Sequence, residues 1–126
     1  MNKKINTSSA PAALGPYSQA IEAGSFVFVS GQLPIDPVTG QFVGDDIREL
    51  TRQSLTNIRN ILSAAGLSMA DVVKTTVMLA DMNDFPAMNE VYGEFFSEPF
   101  PARSAFAVRT LPKEGKVEIE CIAKKP

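Results

Sequence analysis

Two stretches of this chain have no polar side. Phe26, Val27, Phe28 and Val29 place four apolar, strand-forming residues in a row, and "DVVKTTVMLAD" (71–81) is nearly as apolar and rich in β-branched residues. Successive side chains of a strand point to opposite faces of its sheet, so such runs need both faces covered. The chain offers two helices for that task. Asp45 and Asp46 open the first, their charge favourable at a helix N-terminus. Ile47, Leu50, Ser54, Ile58, Ile61, Leu62 and Ala65 follow at helical spacing up to a stop at Gly66. The second begins at Asp84, aligns Phe85, Met88, Tyr92, Phe95 and Phe96, and ends before Pro99 and Pro101. Two amphipathic helices cover one face of a sheet. The other face is expected to pack against copies of the same chain.

The remaining elements are shorter. Residues 1–16 are polar and then Pro/Ala-rich, with Gly15-Pro16 marking a turn. A strand is expected from Tyr17 to Gly24, and "DPVTGQFVG" reads as a turn with a short return segment. Two last strands are expected around Ser104–Val108 and Val117–Ala123, joined by "RTLPKEGK". The order β-β-β-α-β-α-β-β predicts an α+β fold with both helices on one face of a mixed sheet. At 126 residues without linker, repeat or low-complexity tract, residues 1–126 are one domain.

Composition narrows the chemistry. A net charge of -2 argues against an electrostatic grip on nucleic acid or anionic membrane. No apolar run approaches the ~20 residues of a membrane span, and the N-terminus lacks the apolar run of a signal peptide. A lone cysteine, Cys121, forms no internal disulfide, which suits a cytoplasmic protein. Histidine is absent, which removes the usual Ser-His-Asp and Cys-His systems and most zinc sites. No glycine-rich nucleotide motif occurs. Carboxylates, arginine, lysine, tyrosine, hydroxyls and backbone groups remain.

They concentrate in the hairpin-like stretch "PARSAFAVRTLPKEGKVEIECIA" (101–123). Alternation sets Val117, Ile119, Cys121 and Ala123 on one face and Glu118, Glu120 and Ile122 on the other, while Arg103 shares a face with Ala105 and Ala107. Either the glutamates point into water with Arg103 as a rim partner, or they line a cleft between copies. In a cleft, a carboxylate can take a proton from water, and an arginine fork can hold a small carboxylate by two parallel bonds. Cys121, among apolar neighbours, reads as a small buried hydrophobe. Tyr17 reads equally as a strand aromatic or a phenol at a loop edge. Gly31, after Ser30, either turns the chain or admits a ligand to the backbone. Asn89 lies beside the apolar stripe of the second helix.

The segments "GPYSQAI", "VSGQLPIDPVTG", "ADMNDFPAMNEVYGEFF", "PARSAFAV" and "LPKEGKVEIECIA" together resemble the RidA (YjgF) family of enamine/imine deaminases, over about Ser8 to Ala123 and in the family's order. The resemblance implies a chorismate-mutase-like fold and a homotrimer whose sheets form an inner barrel, with clefts at the subunit interfaces. It implies hydrolysis of 2-iminobutanoate and 2-iminopropanoate to 2-oxo acids and ammonia, without a cofactor or metal. Such imines arise from the enamine products of pyridoxal-phosphate-dependent dehydratases.

Carried over by position, Arg103 would clamp the substrate carboxylate and Glu118 would activate water. Tyr17 would border the cleft from the neighbouring subunit, Ser30 and Gly31 would shape its floor, and Asn89 would line its rim. Glu120 would remain a supporting charge. Ala105 stands where many relatives carry a cysteine, which leaves a roomier pocket and puts thiol-based regulation in doubt. The alternative is a non-catalytic trimer that binds 2-oxo acids as a sensor. A sensor needs the arginine but not the water-activating glutamate, so the presence of both favours the enzyme.

Overall fold

The computed structural model describes all 126 residues. Strands β1 (Lys3–Ile5), β2 (Ala20–Ala23) and β3 (Phe26–Gln32) precede helix α1 (Ile47–Ala64). Strand β4 (Val72–Leu79), helix α2 (Phe85–Phe95), and strands β5 (Ala102–Ala107) and β6 (Val117–Lys124) follow. One six-stranded sheet runs in the order β1-β2-β3-β6-β4-β5. Every pairing is antiparallel except β4–β5, whose parallel connection passes through α2.

The first helix starts and stops where its sequence dictates. Asp46 caps it, its carboxylate accepting from the Glu49 N–H at 3.4 Å. At the far end Gly66 takes φ 77°, which a residue with a Cβ resists. That conformation lets Leu67 N–H donate to Leu62 O and Gly66 N–H to Ser63 O, which caps the last carbonyls. The stripe from Ile47 to Leu62 is buried as its spacing requires. Leu50, Leu55, Ile58, Ile61, Leu62 and Met88 pack on Val27, Val29, Val77, Leu79, Val117 and Ile119. Burying a large side chain of this kind stabilises by about 1.5–3 kcal/mol.

Two local expectations change. The expected return segment after Gly40 is not a strand; it is one bridge, Ile35 to Phe42. Two backbone bonds flank that bridge, Asp36 N–H to Gln41 O at 2.9 Å and Val43 N–H to Pro34 O at 3.3 Å, while the carbonyls of Leu33 and Ile35 turn to α1 and accept from Asn57 Nδ2 at 3.2 and 3.0 Å. The third early strand is β1, whose polar sequence gave no apolar pattern but pairs along β2 from Lys3 to Ile5. The stretch 101–123 is also no hairpin. Strand β4 lies between β5 and β6, with its fully buried Val77 paired to Ala105 on one side and Ile119 on the other.

Both helices cover a single face. On the other, Phe26, Phe28, Val73 and Phe106 are 40%, 45%, 42% and 45% exposed, around the half-buried Met78 and Ile122. No element of this chain covers that apolar surface.

Candidate active site

The site grows from a defect in β3. Val29 pairs with Cys121 and Gln32 with Ile119, so Ser30 and Gly31 together stand opposite Glu120. This bulge returns Gln32 to the buried face and re-aims the two residues before it. The hydroxyl of Ser30 donates to Ser18 O at 2.6 Å, and its N–H donates to Gln19 O at 2.9 Å. Those bonds tie the bulge to the segment that carries Tyr17, which is 55% exposed. Gly31 leaves space that Glu118 occupies: a Cβ at position 31 would lie 2.5 Å from Glu118 Oε2. The carboxyl group therefore rests directly on the glycine backbone.

Around it lies a cavity of about 720 Å³, lined by Tyr17, Ser30, Gly31, Glu118 and Glu120, with Leu14, Leu33 and Ile35 as apolar wall. Lys113 stands on the rim, in a loop where Lys113 and Glu114 hold φ of 56° and 54°. A left-handed conformation costs roughly 1–2 kcal/mol per residue. Burial raises the pKa of Glu118 above the ordinary carboxylate value, and the charge of Glu120 raises it further. A carboxylate so placed accepts protons more readily than one in water.

Arg103 lies elsewhere. It pairs with Thr75, which pairs with Cys121, so it is on the helix-covered face at the β5 edge. Glu118 pairs with Met78, which pairs with Phe106, and this set is on the bare face. The Arg103 guanidinium lies 4.7 Å from the Tyr92 ring centroid and 5.3 Å from that of Phe85. Its Nη1 donates to Asn89 Oδ1 at 2.6 Å, and no carboxylate pairs with it. Tyr92 is held by a 2.7 Å hydroxyl contact with Thr75 Oγ1, and burial raises its pKa. Ala105, half-buried on the same face, leaves the space beside the arginine open.

The candidate residues thus form two groups within one chain. Tyr17, Ser30, Gly31 and Glu118 meet in the cavity; Arg103, Asn89 and Ala105 meet at the β5 edge. Adjacent strands of one sheet had offered the simplest way for Arg103 to reach Glu118. With β4 intervening, their strands are about 10 Å apart, their partners on β4, Thr75 and Met78, are three residues apart along it, and their side chains face opposite ways. One small substrate cannot touch both in a single chain.

Phe85 and Tyr92 were legible only as parts of an apolar stripe; nothing in their spacing distinguishes a core ring from one that cradles a guanidinium. Gln19 also went unnoticed, although its place in "GPYSQAI" beside the turn was a faint signal. Cys121 is 3% exposed, and burial pushes its thiol up to about 12, with Glu120 adding to the effect. It is not a nucleophile at neutral pH. No group of three or more His, Cys, Asp or Glu side chains is placed to hold a metal. No helix is long and apolar enough to cross a membrane.

Comparison with known proteins gives close matches. A family model described as Endoribonuclease L-PSP matches residues 7–125. A RutC family protein of Pyrococcus horikoshii is 58% identical over 99% of this chain and 99% of its own length. The 2-iminobutanoate/2-iminopropanoate deaminase of Bos taurus is 52% identical over 98% of this chain and 90% of its own. Among solved structures, E. coli TdcF with bound serine superposes with a TM-score of 0.93 at 47% identity, covering 98% of this chain and 99% of that one.

Proposed function

This chain belongs to the Endoribonuclease L-PSP (YjgF/RidA) family, and from that membership and its cavity we propose that it is a 2-iminobutanoate/2-iminopropanoate deaminase. The observation that carries this reading is the Glu118 carboxyl, half-buried and laid over Gly31 in a cavity that has no arginine of its own. The missing cation comes from a second copy. Arg103 is stacked on two rings, steadied by Asn89 and free of any carboxylate. Joining one copy's β5 edge to the next copy's cavity brings the two groups together, and three copies with the bare faces inward bury Phe26, Phe28, Val73 and Phe106. The assembly is a homotrimer with three shared clefts.

In the cleft, the two-pronged guanidinium of Arg103 holds the substrate carboxylate. Tyr17 and Asn89 flank the substrate, Ser30 and Gly31 form the floor, and Ala105 leaves room beside the clamp. Glu118 holds a water against the imine carbon, which is electrophilic because its nitrogen is protonated. As the water oxygen bonds to that carbon, Glu118 takes a proton and the C=N π electrons move to nitrogen. The resulting carbinolamine receives that proton on nitrogen; the C–N bond breaks, ammonia leaves, and the oxygen becomes the 2-oxo group as its hydroxyl proton returns to Glu118, which passes it to the departing ammonia. Orientation supplies much of the acceleration, and the general base adds about 10²–10⁴-fold.

A pyridoxal-phosphate-dependent threonine dehydratase, coupled to 2-oxobutanoate release, tests this reading. The protein should accelerate release, Arg103→Ala should abolish the effect, and Glu118→Gln should slow it while still binding 2-oxobutanoate. A wild-type protein that binds the oxo acid without accelerating release would be a sensor instead.

A further inference from the structure

One wall of the cavity is made by a segment with almost no backbone ladder of its own. Between the end of β1 at Ile5 and the start of β2 at Ala20, the main chain forms no strand or helix and carries Pro11, Leu14 and Tyr17 to the opening. Leu14 is 85% exposed and Tyr17 55%, so neither is packed in place by neighbours. One side chain makes most of the bonds that fasten this strap, beside the Ser30 hydroxyl on Ser18 O. Gln19, 2% exposed, accepts from Thr7 N–H at 2.7 Å through Oε1. Its Nε2 donates to the carbonyls of Thr7 at 3.0 Å, Ala10 at 3.3 Å and Pro11 at 2.8 Å. One amide thus satisfies both ends of the strap's first turn, where buried backbone groups would otherwise lack partners. The same residue's carbonyl accepts from Ser30 N–H in the bulge at 2.9 Å. Only one other tie reaches the strap from the helices, Asn60 Nδ2 to Ser9 O at 2.9 Å.

We propose that Gln19 is a positioning residue for the reaction, the anchor that sets the Pro11–Leu14–Tyr17 wall against which the substrate's side chain rests. The proposal rests on the deaminase reading of this cleft. Gln19 itself touches no reacting atom. The chemistry belongs to Glu118 on β6 and Arg103 on β5, and neither makes a hydrogen bond to the strap. Loosening the wall therefore weakens binding of substrate and transition state alike, which raises KM and spares kcat.

The test uses Gln19→Leu, which is of similar size and removes every side-chain bond, and Asn60→Ala, which cuts the lesser tie. Kinetics in the coupled assay are read beside amide hydrogen exchange over residues 7–17 and the thermal midpoint. In Gln19→Leu, exchange in residues 7–17 should rise, and KM should rise about tenfold with kcat within about twofold of wild type. Asn60→Ala should move both readouts the same way by less. Unchanged exchange in Gln19→Leu would remove it as the anchor. Faster exchange with an unchanged KM would mean that the strap is not the substrate's wall, and a fall in kcat at constant KM would assign Gln19 to the bulge and Glu118 instead. Should Gln19→Leu fail to fold, the same outcomes are read from Asn60→Ala. A wild-type protein without turnover would overturn the deaminase reading itself, whereas failure of the anchor leaves wild-type turnover intact.

Discussion

Mixing two inactive variants should restore activity. Arg103→Ala loses two charge-assisted hydrogen bonds to the substrate carboxylate, each worth about 1.5–3 kcal/mol, so its rate should fall about 10²–10⁴-fold or more. Glu118→Gln loses the base and should fall by a comparable factor, about 10²–10⁴-fold. In each chain the two groups are on opposite faces of the sheet with β4 between them. In the proposed assembly every cleft draws its arginine from one copy and its glutamate from the next. In an equal mixture, dissociated and reassembled at random, a cleft is intact when a Glu118→Gln chain supplies the arginine and an Arg103→Ala chain the glutamate. The chance of that arrangement is about one quarter, whatever the number of copies in a ring. The coupled assay on the reassembled mixture should recover about a quarter of wild-type activity, against about a hundredth or less for either variant alone. If both residues served the same site from one chain, no mixed cleft would hold both, and the activity would stay at the level of the separate variants. That result would refute the shared cleft.

Gly31→Ala would put a methyl 2.5 Å from Glu118 Oε2 and displace the carboxyl, so turnover should fall about 10–100-fold, as small misplacements of catalytic groups do, with the protein still folded by circular dichroism. Ser54 is fully buried in α1, and its hydroxyl has no partner, so Ser54→Ala should be neutral or stabilising by up to about 1 kcal/mol in urea unfolding; a loss of more than that would mean a hidden bond. Because the folded-state pKa of Glu118 is raised, its contribution to stability is fully present below the ordinary glutamate pKa and is lost as pH rises through the raised value. Glu118→Gln should therefore melt higher than wild type at pH 7, an advantage that disappears at acid pH, while its activity is impaired. In the proposed mechanism turnover needs the ionised Glu118 carboxylate, so the acid limb of the pH–rate profile should move to lower pH in Glu120→Gln, which removes one raising charge.

Much of this was visible from residue spacing. The periodicity of Ile47 to Leu62 and the two strands without polar sides gave the helices, the central sheet and the one-sided covering. They also pointed to the bare face that Phe26, Phe28 and Phe106 present. Alternation placed Glu118 and Glu120 together and Cys121 in the core. Strand β1 was invisible because its pairing comes from β2 rather than from any pattern in Lys3–Ile5. The return segment after the turn is present but stops at one bridge, Ile35 to Phe42, and the outward carbonyls of Leu33 and Ile35 are taken by Asn57 of α1 rather than by another strand.

Local pattern determined which side chains share a face of their own strand or helix, because that depends only on the 2.0 and 3.6 residue periods of the backbone. It could not determine which strands become neighbours. That β4 inserts between β5 and β6, in registers that turn Arg103 and Glu118 to opposite sides, is decided by long-range pairing, in which this apolar strand is buried between two partners. The aromatic cradle of Arg103 and the clamp of Gln19 on Thr7, Ala10 and Pro11 have the same origin. Each joins residues on different elements or across a loop, beyond the reach of helix or strand periodicity, and only packing in three dimensions brings their atoms within hydrogen-bond or ring-stacking distance.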